Sequence, residues 1–172
     1  MSGGSIAERQ QALLVARLQA IRVCNGYLCD MGARVFEERA HFDEADVFPL
    51  LNVQMTGEAG NEEYGREKVT IKRSFRVEIY TDDAYRAIAL LQDVKRAVMD
   101  FKSLGKFTDE DGPLGVLAYG GTEQITIESD GRSISGLAAL FTISGHETWG
   151  EPRTSTCGPS RFPRESGAPA RR

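Results

Sequence analysis

The chain has 172 residues, of which 41% are hydrophobic and 27% charged, and its net charge is −4. That length suits one domain able to bury roughly two thirds of its unfolded surface. No apolar run approaches the ~18 to 20 residues of a membrane-spanning helix. Three cysteines without paired Cys-x-x-Cys motifs or flanking histidines make no zinc site, and reduced thiols are expected, although Cys24 and Cys29 are close enough in sequence to pair in an oxidising medium.

Ser5 reads as the cap of a first helix whose apolar stripe is Ile6, Leu13, Leu14, Leu18 and Ile21. Gly26 ends it or opens the connection, and Arg34-Val35-Phe36 reads as a first strand or its edge. An acidic turn, Phe42-Asp43-Glu44-Ala45-Asp46, runs through Phe48-Pro49 into a second strand with Leu51, Val53 and Met55 on one face. Gly57 to Gly65 is polar and too long for a tight hairpin turn, so a projecting mobile arm is expected there.

Lys68 to Tyr80 alternates strictly, with Val69, Ile71, Phe75, Val77 and Ile79 inward, as in a half-buried antiparallel strand. Thr81-Asp82-Asp83 then supplies capping groups for a second helix, with Ala84, Ile88, Leu91, Val94, Val98 and Phe101 on its buried face. Ser103 to Thr122 is rich in glycine and reads as a loop of about twenty residues, of the length at which loops are usually functional or disordered. A last hairpin joins 123–128 to 137–143 across Asp130-Gly131, with Ile125, Ile127, Leu137, Ala139, Phe141 and Ile143 inward.

These elements imply an α+β fold, a mainly antiparallel four- to five-stranded sheet with two helices packed on one face. The domain spans 1–149. Residues 150–172 form a tail rich in Arg, Pro and Gly, with too little apolar surface to fold alone. Five arginines against two glutamates give that tail +3 and leave −7 for the body. An acidic body argues against a general nucleic-acid binder.

No catalytic signature is present. His41 and His146 sit in no metalloprotease or hydrolase motif, and the glycines of 112–121 match no phosphate loop, because no Gly-Lys-Ser or Gly-Lys-Thr follows. Asp43, Glu44 and Asp46, with Glu37 and Glu38 nearby, carry the hard oxygen ligands that magnesium or calcium prefers, but lack the regular spacing and glycine of a calcium loop. A solvated or interface turn is the preferred reading, with no metal or cofactor, and its carboxylates could face arginines of the next subunit.

The acidic turn, Phe48-Pro49, Met55-Thr56-Gly57 and the strand ending Phe75-Arg76-Val77-Glu78-Ile79-Tyr80, followed by a helix and a terminal hairpin, resemble the phage tail terminator family of lambda-type minor tail protein U. The resemblance covers roughly Ala33 to Gly145. It implies a structural virion protein, not an enzyme, that is assembled in the host cytoplasm and placed at the tail–head junction. It also implies a hexameric ring that caps the tail tube, stops its polymerisation and offers an attachment surface to the head connector or neck protein.

Duplex DNA would pass through the lumen without specific binding, kept off an acidic wall by like charge. Candidate contact residues are Asp43, Glu44 and Asp46 in the turn, Glu58, Glu62, Glu63 and Tyr64 in the arm, the aromatics Tyr80 and Trp149, and Arg153 in the tail. The rival readings are a neck or head–tail completion protein and a small metal-dependent hydrolase or ligand-binding domain using Asp43, Asp46 and His41.

Overall fold

The computed structural model describes residues 4–41, 46–61, 68–99, 105–129 and 132–148. Helix α1 (Ile6–Gln19) opens with a capping box, in which the Ser5 hydroxyl accepts from the Glu8 backbone N–H at 3.3 Å and the Glu8 carboxylate accepts from the Ser5 N–H at 2.6 Å. Leu14, Val15 and Leu18 are its buried stripe, and Ile21, fully buried, lies just beyond its end. Gly26 closes a separate short 3-10 turn at Val23–Asn25. A second such turn, Met31–Ala33, packs so closely beneath α1 that a Cβ on Gly32 would lie 2.6 to 2.7 Å from the carbonyl oxygens of Leu18, Gln19 and Ile21.

The strands are β1 (Val35–Glu37), β2 (Leu50–Asn61), β3 (Lys68–Thr81), β4 (Lys106–Asp109), β5 (Gly112–Ser129) and β6 (Arg132–Thr148), and α2 spans Ala84–Met99. They form one sheet in the order β1-β2-β3-β6-β5-β4. All neighbours are antiparallel except β1 and β2, which run parallel. The α+β class holds, but the sheet is mixed and six-stranded.

Three expectations change. Gly57 to Asn61 is no arm: these residues continue β2 beyond a bulge at Met55/Gly57 and pair with Thr70–Ser74. Most of the expected 103–122 loop is strand, because β4 and β5 pair across it and bury Phe107, Leu114 and Leu117. The last hairpin is far longer than the alternation suggests, and its ladder closes at Ser129 and Arg132, with two residues between them. Asp130 and Gly131 themselves lie outside the described residues, as does Phe101.

Both helices pack on one face of the sheet. There Leu14, Leu18, Leu90, Val94 and Val98 meet Leu51, Val53, Phe75, Val77, Ile79, Phe141 and Ile143. Ile88, expected in this layer, is 65% exposed, and Ala87 and Leu90 take the inward positions. A smaller cluster sits on the other face, where Leu50, Tyr80, Ile125 and Ala138 pack with Phe36, Phe48 and Ile134. Ile125 therefore does not share a face with Leu137, because the bulge at Tyr119/Gly121 shifts β5 by one position and pairs Ile125 with Gly136.

Candidate assembly surface

Of the candidate contact residues, Asp43, Glu44, Glu62, Glu63, Tyr64, Trp149 and Arg153 lie outside the described residues. The other three are held by partners within the same chain. Asp46 receives two bonds of 2.8 Å from the Arg39 guanidinium, which also stacks on Phe36 with its Cζ 4.5 Å from the ring centroid. Glu58 is bound by Arg73 at 2.6 Å, and Arg73, only 4% exposed, also donates to Glu147 at 2.5 Å and to Gln10 of α1 at 3.2 Å. Arg73 thus ties β2, β6 and α1 together at the end of the helix layer.

Tyr80 is no surface anchor. It is 2% exposed and donates to Glu78 Oε2 at 2.9 Å. Burial first, and the bond to a carboxylate second, push its hydroxyl above the ordinary tyrosine range. The alternation of β3 places Glu78 and Tyr80 on the face away from the main core, but Phe36, Phe48 and Ile134 pack over that end of the sheet and both are buried. Cross-strand neighbours Asn52 and Gln54 complete the network at Glu78, and no periodicity signals such a network.

His41 is exposed, while His146 Nδ1 lies 3.2 Å from Thr70 Oγ1 on β3. Cys24 and Cys29 are free thiols. Among the described residues no group of His, Cys, Asp and Glu has the arrangement of a metal site.

Among the described residues, no element covers the face opposite the helices beyond the small cluster. The ladder places Thr70, Lys72, Ser74 and Arg76 of β3 beside Leu140, Thr142, Ser144 and His146 of β6, with Val116 and Ala118 of β5 next to them. A groove of about 460 Å³ crosses it, lined by Thr56, Ser74, Arg76, Glu123 and Thr142. Val116 is 57% exposed there.

No family model matches this sequence, and no curated protein matches it either.

A second groove, about 610 Å³, lies between α1 and the β4–β5 turn, with Ala12 and Leu13 on its floor and Glu8, Asp109 and Asp111 on its rim. Arg9 Nε donates to Asp109 Oδ2 at 2.9 Å across it. That hydrogen bond chiefly, with a further one from the Asp111 N–H, holds the Asp109 carboxyl below the usual range. A lowered carboxylate pKa contributes stability that is fully present above the unfolded value, about 3.9, and is lost as pH falls through the folded value. Asp109→Asn should therefore be less stable than the wild type at neutral pH, with the gap closing below about pH 4. Urea melts over that range check this, and a gap independent of pH would refute it.

Proposed function

We propose that this protein is a structural ring subunit of a phage tail, a tail terminator that caps the tube, halts its polymerisation and presents a surface to the head connector or neck protein. The observation that carries this reading is the one-sided build of the molecule. Helices finish one face of the sheet, whereas the other offers hydroxyls interspersed with Lys72, Arg76 and His146 across β3, β5 and β6 and has the form of a wall segment rather than a pocket for chemistry.

The charged groups support it. Asp46, Glu58 and Glu78 each lie against an arginine of their own chain, and the Glu58–Arg73 pair joins β2 to β3, so these carboxylates are engaged within the fold instead of converging on a substrate. A ring needs two unlike, complementary sides on every subunit, and the sheet has two different borders.

The test is native mass spectrometry and electron microscopy of the purified full chain, followed by its addition to polymerising tail-tube protein. Closed six-fold rings and arrested tubes are expected. Rings that leave tube length unaltered would favour a neck protein, and a monomer that turns over a substrate would end the structural reading.

A further inference from the structure

Both long borders of the sheet are unfinished. β1 pairs with β2 only at Leu51–Val53, and β4 pairs with β5 only at Gly112–Val116. Among the described residues no strand lies along β2 from Gln54 to Asn61 or along β5 from Ala118 to Ser129. Neither stretch contains a lysine or proline, the residues that commonly blunt exposed edges.

The backbone groups that point outward can be named. Leu51 N donates to Arg34 O, Val53 O accepts from Glu38 N, and Leu117 N donates to Gly105 O, which fixes the outward set on each strand before its bulge. Alternation past the bulges then leaves Glu58 and Gly60 on β2, and Thr122, Gln124, Thr126 and Glu128 on β5, with N–H and C=O directed away from the sheet.

We propose that the β5 edge of one copy of this chain joins the β2 edge of the next, so that the sheet continues around the ring. This rests on the ring reading above and names the joint that closes it. Strand direction alternates through β2, β3, β6 and β5, so copies placed side by side with the same orientation bring β5 against the next β2 antiparallel, the better-bonded arrangement. Neither edge brings an uncompensated carboxylate to its centre, since Arg73 binds Glu58 and Arg76 lies 3.8 Å from Glu123.

The covered portions of the borders dictate the stagger. β1 blocks β2 at the level of Val77 and Ile79, and β4 blocks β5 at the level where Val116 meets Ser144 and Lys72, so copies cannot join flush. Gln124 aligns through Leu137 with Ile79, whereas Glu58 aligns with Arg73, six residues along β3. Bringing the two together shifts each copy by ~20 Å along the strands, while its four long strands span ~19 Å across them. The resulting tilt is about 45°, at the upper end of the ~35–45° at which sheets close into barrels. Six copies would enclose a wall about 50 Å across at the backbone, wide enough for duplex DNA.

Pairing about a two-fold axis, β2 on β2 or β5 on β5, is also antiparallel, but it leaves the other edge bare, whereas a closed head-to-tail ring leaves none.

The test combines hydrogen exchange on the assembled wild type with two substitutions, Gly60→Pro and Gln124→Pro, each removing an outward N–H that no ladder among the described residues uses. Amides of Glu58, Gly60, Thr122, Gln124 and Thr126 should exchange at least about ten-fold more slowly in rings than in dilute monomer. Both variants should keep the monomer's circular dichroism and lose rings on native mass spectrometry. Rings that persist in both variants, with exchange unchanged at both edges, overturn this joint but leave the ring itself standing. Protection of one edge alone, in dimers, establishes two-fold pairing instead. A wild type that never forms rings removes both proposals.

Discussion

Glu78→Ala is expected to cost about 3–5 kcal/mol, because it strips the acceptor from a buried polar network and leaves the donors behind. In a chain of this length that lowers the melting midpoint by roughly 10 °C or more. Glu78 is 6% exposed, and its Oε2 receives Asn52 Nδ2 at 2.9 Å, the Tyr80 hydroxyl at 2.9 Å and Gln54 Nε2 at 3.3 Å. Its other oxygen lies 3.2 Å from Arg76 Nε, near enough for charge pairing though not in hydrogen-bonding geometry.

Alanine would strand the Asn52 and Tyr80 donors inside the small cluster and remove the nearer of the two carboxylates beside Arg76. Glu78→Gln keeps an acceptor oxygen at the same reach, so it should lose only about 1–2 kcal/mol. Tyr80→Phe removes a single donor and should be milder still. In a double-mutant cycle, Tyr80→Phe should cost little in the Glu78→Ala background, because its partner is already gone. Thermal and urea melts of the four proteins measure this, and strictly additive losses would show that the two groups do not interact.

The network also marks where sequence reading stops. The alternation of β3 was legible, and it placed Phe75, Val77 and Ile79 inward correctly. It could not reveal that the opposite face is buried at one end and, among the described residues, uncovered by any element at the other, because that depends on which distant segments pack there. Arg73 shows the same limit from the inward side: it shares the parity of Phe75 and is buried because Glu58, Glu147 and Gln10 converge on it from three other elements.

The β4–β5 region failed for a local reason. Gly112, Gly115 and Gly121 adopt positive φ, and bulges at Phe107/Thr108 and Tyr119/Gly121 each reset the period of two, so of an 18-residue strand only 123–128 reads as one. The same interruptions hid the β5 border. Residue type alone marks Asp46 and Glu58 as candidate contacts, whereas their partners Arg39 and Arg73 are set by the fold. Capping at Ser5 was readable because its partner, Glu8, is one helical turn away.

Gly136→Ala should be strongly damaging to the sheet, at a cost on the order of 3 kcal/mol. A Cβ there would lie 2.4 Å from the Ile79 carbonyl oxygen and 3.2 Å from Ile125 Cγ1. Relief would require β6 to move away from β3 or from β5, yet it is bonded to both along almost its whole length. Gly57→Ala is the contrasting change: its Cβ would meet nothing within 4 Å and its backbone is not left-handed, so it should be neutral or stabilising by roughly 0.5 kcal/mol. Urea midpoints separate the two, and an unchanged midpoint for Gly136→Ala would mean that the strands are not so closely set. The β5 border is carried by its ladder to β6, so parting the strands at Gly136 should also displace the outward groups of Gln124 and Thr126. Gly136→Ala should therefore lose rings together with stability, whereas Gly60→Pro should lose rings alone.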